Sequence, residues 1–181
     1  MNRGCTSVND TESAALTVYV LFFIQLHTRK LVLGGLTSTP NEAWVKQMAR
    51  NVTGVADDLS SARYLLRDRD SKFTDGFDQI LAAAGISAVK LPPKSPNLNA
   101  YAERWILGAK VECLNQLILF GERSLAHALN QYIAHHQRER NHQGLDNRIP
   151  FPDERLRSPN GRIVKFERLG GLLNFYHRKA A

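Results

Sequence analysis

The run Thr17-Val18-Tyr19-Val20-Leu21-Phe22-Phe23-Ile24-Gln25-Leu26 constrains the fold more than any other feature of the chain. Its β-branched and aromatic residues occupy successive positions instead of alternating ones. A strand that is apolar on both faces has to be covered on both faces, so its sheet needs helices on each side. Its apolar stretch, Val18 to Ile24, is far shorter than the ~20 residues that span a bilayer. Residues 30–37, KLVLGGLT, read as a second strand. His27-Thr28-Arg29 is short enough to join the two as a hairpin. Gly34-Gly35 inside the second strand marks a bulge.

Helical and extended patterns alternate after this hairpin. Asn41 or Thr39 caps a helix whose apolar positions are Trp44, Val45, Met48, Ala49 and Val52. Residues 63–67 form a short strand that runs into Asp68. A helix over about Asp75–Ala84 ends at Gly85. Residues 86–91, ISAVKL, form another strand, and Pro92-Pro93-Lys94-Ser95-Pro96 is a loop. A long helix is expected from Asn97 or Asn99 to about Leu119, then, after Gly121, one from Arg123 to Arg138. This order implies an α/β domain with a mixed sheet. Residues 1–16 are too polar and irregular for a central strand, and the stretch from Asn141 is rich in Arg, Gly, Pro and Asn.

The formal charge is +7 over 181 residues, which favours a polyanionic partner, nucleic acid first. Its distribution is more telling than its size. Residues 1–103 carry a net +1 and residues 104–181 a net +6. Acids for a cation site would thus precede bases for a phosphate-binding surface. Cys5 and Cys113 make neither a disulfide framework nor a zinc motif, which fits a reducing cytosolic setting. The first ten residues lack a signal peptide's apolar core.

Two carboxylates stand out by position. Asp68 ends an apolar strand, and ligands gather at the carboxyl ends of strands in α/β sheets. The same residue also reads as an ordinary turn or cap aspartate. Glu103 sits in the opening turns of a helix fed by a proline-bearing loop, where a solvated surface glutamate is the plainer reading. The interval between them, 35 positions with a helix, a strand and a loop inside it, sets them apart.

That interval and its flanking residues resemble the retroviral-integrase-like, Asp-Asp-Glu core of insertion-sequence transposases. Asp68-x-x-Ser71-x-Phe73 resembles the family's Asp-Asn-Gly-Ser-x-Phe stretch. Ser95-Pro96-x-x-Asn99-Ala100-x-x-Glu103-Arg104 resembles its Ser-Pro-x-x-Asn-Gly/Ala-x-x-Glu-Arg stretch. Tyr132-x-x-His135-His136-Gln137-x-x-Arg140-Asn141-His142-x-x-Leu145 resembles its Tyr-x-x-Tyr-Tyr-Asn-x-x-Arg-Pro-His-x-x-Leu tail, with His for the paired Tyr, Gln for Asn and Asn for Pro. The resemblance implies a ribonuclease-H-like mixed sheet flanked by helices over residues 17–146, with a non-matching segment at 1–16 and a basic C-terminal tail at 147–181. It implies DNA integration and transposition by metal-dependent phosphodiester cleavage and strand transfer. Asp68 and Glu103 would be catalytic and would ligate Mg²⁺ or Mn²⁺, hard cations that prefer carboxylate oxygen.

The family also needs a first Asp on a strand before the hairpin, about sixteen residues ahead of the YVLFFI-like strand. Asp10 precedes Tyr19 by only nine and could take that place only if a tight hairpin formed. The expectation is therefore a fold truncated at its N-terminus, without its first strand and first Asp, and impaired in catalysis. Lys94, Asn99, Arg104 and Lys110, around Glu103, are the candidate DNA contacts, with Arg138 and Arg140 adding phosphate-binding capacity. Asn99, Glu103 and Lys110 share one helical face. His135, His136 and His142 read as polar helix-end residues rather than zinc ligands, and Tyr132 reads as core. The expected setting is the bacterial cytoplasm on nucleoid DNA, away from membranes, as a homo-oligomer on DNA if active. The competing readings are a non-enzymatic DNA-binding or assembly module on the same fold, and a different nuclease with a ribonuclease-H-like core.

Overall fold

A computed structural model describes residues 2–8, 17–54, 62–92, 96–154 and 160–179, with residues 2–8 and 96–99 described by backbone alone. The chain forms two compact units, one of residues 1–27 and 31–106, the other of residues 28–30 and 107–181.

The first unit holds a five-stranded sheet. Its strands are β1 (Asn2–Val8), β2 (Val18–Ile24), β3 (Leu31–Thr37), β4 (Tyr64–Arg67) and β5 (Ser87–Lys90), in the spatial order β3-β2-β1-β4-β5. The β2–β3 hairpin is antiparallel and has its irregularity between Leu21 and Phe22, where Gly34 falls between the register partners Gly35 and Leu33. The bulge is thus where the glycine pair indicates. A Cβ on Gly34 would lie 2.6 Å from the Phe23 ring, so the strand comes this close only as glycine.

Both faces of β2 are covered, as its composition demands. Leu21 and Phe23 join Leu65, Phe73, Ile86 and the inner residues of two helices, α1 (Glu42–Thr53) and α2 (Asp75–Ala83). These helices contribute Val45, Ala49 and Val52, and Phe77 and Leu81. Phe22 meets the ring of Trp105 at 4.4 Å, on α3 (Pro96–Glu112). Asn41 caps α1 by accepting a hydrogen bond from Trp44 N–H at 2.8 Å. Gly85, at φ +76°, ends α2.

The absence of a first strand is corrected. Residues 2–8 form β1, paired antiparallel with β2 from Asn2↔Ile24 to Val8↔Val18 and parallel with β4 at Asn2↔Leu66. The polarity of NRGCTSV argued against a central position, but ladder pairing is made by backbone groups that every residue in this segment carries. Asp10 lies outside the described residues.

In the second unit, α3 ends at Glu112, short of the expected Leu119, and a 3₁₀ turn follows at Leu114–Gln116. The run Leu117-Ile118-Leu119-Phe120 is apolar at every position, and Leu117 is already extended at φ −125°, ψ 144°. The next helix, α4 (Gly121–Arg138), buries Leu125, Ala128, Leu129, Tyr132 and Ile133 along one stripe. The segment read as a basic tail contains an antiparallel hairpin of β6 (Ile163–Arg168) and β7 (Leu173–Arg178).

Candidate functional site

Parallel pairing brings the candidate site to one sheet edge. Strands β4 and β5 run side by side from Tyr64↔Ser87 to Arg67↔Lys90, so they leave the sheet together. Asp68 is the next residue after β4. Leu91, the next after β5, donates its N–H to Arg67 O at 2.8 Å, and its carbonyl accepts from Arg69 Nε at 3.0 Å. The path from β5 to α3 therefore starts pinned to the residues on both sides of Asp68. Glu103 lies two turns into α3, next to Ala102 and two residues before Trp105, both buried, and is itself exposed.

The electrostatics single out Asp68 among its neighbours. Asp78 is engaged by the Arg67 guanidinium at 3.0 Å and 2.6 Å, and Arg67 is only 5% exposed. Asp70 is paired with Lys72 Nζ at 3.0 Å. Asp68 has no such partner among the described residues; its Oδ1 accepts only the Asp70 N–H, at 3.1 Å. Burial pushes its carboxyl above the ordinary aspartate value, and the Asp70 N–H and the charges of Arg67 and Lys72 offset this only in part. A half-buried carboxylate without a fixed cation is the donor that a hard divalent ion fits. Glu103 likewise has no ion pair among the described residues. A third carboxylate is not supplied by β1, whose sequence NRGCTSV holds neither Asp nor Glu. Among the described residues no group of three His, Cys, Asp or Glu could hold a metal ion.

The candidate DNA contacts fare differently. Lys94 lies outside the described residues, and Asn99 is described by backbone alone within α3. Arg104 and Arg138 are exposed, and Lys110 is half-buried. Arg140 is ion-paired to Glu112 Oε2, which also accepts from Tyr132 Oη at 3.1 Å. Tyr132 is core, 1% exposed. His136 and His142 stack edge-on at 4.3 Å, with His142 Nε2 2.6 Å from His136 O.

Sequence reasoning missed the clamp that holds Asp68 in place. Arg67 bonds Asp78 and also donates from Nη1 to the Asp68 carbonyl at 3.3 Å. An arginine inside an otherwise apolar strand, with an acid one helix later, was the signal available. Glu112 and Glu139 were also missed.

This topology has counterparts among solved structures. The chain is similar to the HTLV-2 integrase catalytic core domain in complex with magnesium (dimeric form), at TM-score 0.50 and 10% identity over 75% of this chain and 83% of that one. It is similar to the BIV integrase catalytic core domain at TM-score 0.56 and 14% identity, over 82% and 88%. The fold is an integrase-core fold. A chain of the simian T-cell lymphotropic virus intasome in complex with PP2A regulatory subunit B56 gamma matches at TM-score 0.57 and 10% identity. That match covers 96% of the present chain, which spans 65% of the intasome chain's length. Residues 84–150 match the family model of the integrase core domain, from just past α2 to beyond α4. That stretch contains Glu103 but not Asp68. No curated protein matches the chain. No described helix is long and apolar enough to cross a membrane.

Proposed function

We propose that the chain is a DNA transposase or integrase core that cleaves phosphodiester bonds and transfers strands with a divalent cation. The observation that carries this reading is Asp68, a half-buried carboxylate with no fixed cation among the described residues, at the carboxyl end of β4 in an integrase-core fold. The integrase-core match over α3, and Glu103 on that helix, support the second ligand. Asp68 and Glu103 would hold Mg²⁺ or Mn²⁺. When bound, such ions activate an attacking water or 3′-hydroxyl and stabilise the leaving oxygen. The chain's own residues do the positioning. Arg67 and Asp78 fix the Asp68 backbone, and the Trp105–Phe22 contact holds α3 to the sheet.

DNA is the substrate, held by Lys94, Asn99, Arg104, Lys110 and Arg138 through phosphate contacts that carry no sequence information. Arg140 belongs to this set through its outer face, its inner face being taken by Glu112. The three motifs in register support an insertion-sequence origin, a bacterial nucleoid setting and assembly as a homo-oligomer on DNA.

A second reading is a DNA-binding or assembly module that has lost the chemistry. It is favoured by β1, the strand between β2 and β4, which brings no carboxylate to the sheet. One experiment separates the two. The purified chain is incubated with supercoiled and linear DNA in Mg²⁺ or Mn²⁺, and nicking and strand transfer are scored for the wild type, Asp68→Ala and Glu103→Ala. Activity lost in both variants supports the enzyme. Salt-sensitive DNA binding without metal-dependent cleavage supports the module. Cleavage that survives both substitutions refutes the site.

A further inference from the structure

The β6–β7 hairpin has two faces of different character. The inner face carries Arg168, whose guanidinium bonds Glu139 Oε1 at 2.5 Å, Glu139 Oε2 at 3.0 Å and Gln131 Oε1 at 2.7 Å, all on or just after α4. Its cross-strand partner Leu173 is buried. The outer face carries Ile163, Lys165 and Glu167 on β6, opposite Arg178, Tyr176 and Asn174 on β7, and all six are exposed. Arg162 and Lys179 extend the ribbon by one more pair at its open end, joined by Lys179 N–H to Arg162 O at 3.0 Å, and alternation turns this pair away from the outer face.

The open end of the ribbon is strongly cationic, with Lys165 and Arg178 on the outer face and Arg162 and Lys179 as its terminal pair, all exposed. Arg162, Lys165, Arg178 and Lys179 stand against a single acid, Glu167, which is paired with Lys165. Arg162, Arg178 and Lys179 have no carboxylate partner among the described residues. Tyr176, 62% exposed, lies in register with Lys165 and offers an amphipathic ring among the charges. A two-stranded ribbon is also one of the few elements that B-DNA's major groove admits, at ~12 Å width.

We infer that the open end of the β6–β7 hairpin is a duplex-DNA contact surface, fixed to α4 by Arg168 and meeting phosphates through Arg162, Lys165, Arg178 and Lys179. This inference rests on DNA being the partner but not on catalysis. It places the DNA contact on a rigid ribbon, where the sequence shows only a basic tail. Ile163 and Tyr176 would lie along the groove wall, and the lone acid Glu167 would weaken binding by holding Lys165.

The test uses the full chain and an end-labelled 30-base-pair duplex, with affinity followed by fluorescence anisotropy between 50 and 200 mM KCl. The triple variant Arg162→Gln/Arg178→Gln/Lys179→Gln should flatten the slope of log affinity against log salt by roughly 2–3, since each lost phosphate contact removes about 0.9. A control triple, Arg50→Gln/Arg63→Gln/Arg123→Gln, removes the same charge from other exposed positions and should change the slope far less. Glu167→Gln should steepen it. Equal flattening in both triples overturns the ribbon in favour of bulk charge. An unchanged slope in the hairpin triple overturns it while the DNA reading stands. No duplex binding by the wild type at 50 mM overturns both. A hairpin triple that loses RNA binding or self-association, but keeps duplex binding, overturns the choice of partner.

Discussion

Asp68 illustrates how a functional position works against the fold that holds it. Its neighbours Asp70 and Asp78 each have a cation at hydrogen-bond distance, while Asp68 keeps a half-buried charge with one backbone donor. Because burial raises its folded pKa above the unfolded value of about 3.8, the folded protein binds the proton more tightly. The stabilising contribution is then complete below the unfolded pKa and is lost as pH rises through the folded one. In metal-free buffer at pH 7, Asp68→Asn should therefore melt higher than the wild type, because the amide keeps the acceptor for Asp70 N–H without the charge. The advantage should shrink as pH falls towards 3.8, where the wild-type carboxyl is itself neutral. Thermal unfolding of both proteins across that range, with chelator present, measures it. A variant that melts lower at pH 7 would mean that Asp68 is held as a structural ion after all. The sequence shows that an acid stands at this strand end. It does not show that Arg67 and Lys72 are committed elsewhere, because those pairings are made in three dimensions.

At the scale of elements, the hairpin depends on one buried pair. Burial works against the Glu139 carboxylate, but hydrogen bonds from Arg168 and His135 outweigh it and hold its pKa below the ordinary glutamate value. Side-chain exposure is 5% for Glu139 and 17% for Arg168. Removing one partner of such a pair leaves the other charge buried, a loss of about 3–5 kcal/mol in typical cases. Arg168→Met should accordingly release β6 and β7 from α4, read as faster amide exchange along both strands with α4 less affected. In the wild type, a depressed folded pKa means stability that is present above the unfolded value of about 4.5 and lost as pH falls through the folded one. Hairpin protection should decline in that acid window, and Arg168→Met should remove most of the decline. Elements with strong local patterns were legible in the sequence. The β2–β3 hairpin with its glycine bulge, the Asn41 cap and the Gly85 stop all follow from residues a few positions apart. Three features were not. The polar β1 is held by backbone pairing, α3 gives way to a 3₁₀ turn although Ala109, Cys113, Leu114 and Leu117 keep helical spacing, and β6–β7 has one largely polar face and an arginine at the turn end of the other.

For the whole molecule, stability against pH sums groups that titrate differently when folded, and of the shifted groups discussed His136 governs the range nearest neutrality. Burial pushes its pKa from about 6.5 down to about 3, and the charges of His142, Arg140 and His135 press the same way. Its Nδ1 is buried with no hydrogen-bond partner among the described residues. The folded protein thus keeps the ring neutral while the unfolded chain takes up a proton below pH 6.5. Its contribution is fully present above 6.5 and is lost progressively as pH falls from there towards about 3. Each pH unit inside that window removes up to about 1.4 kcal/mol. This window opens two units above that of Glu139, so the two groups can be separated. His136→Phe fills nearly the same volume, retains ring contact with Tyr132 and His142, and removes both the titration and the unpaired nitrogen. Urea unfolding of wild type and variant at pH 7.5, 6.0 and 5.0 should show the variant's advantage growing as pH falls. A constant difference between the two proteins at all three pH values would show that His136 is protonated in the folded state or reached by solvent, and would remove it as the source of acid sensitivity.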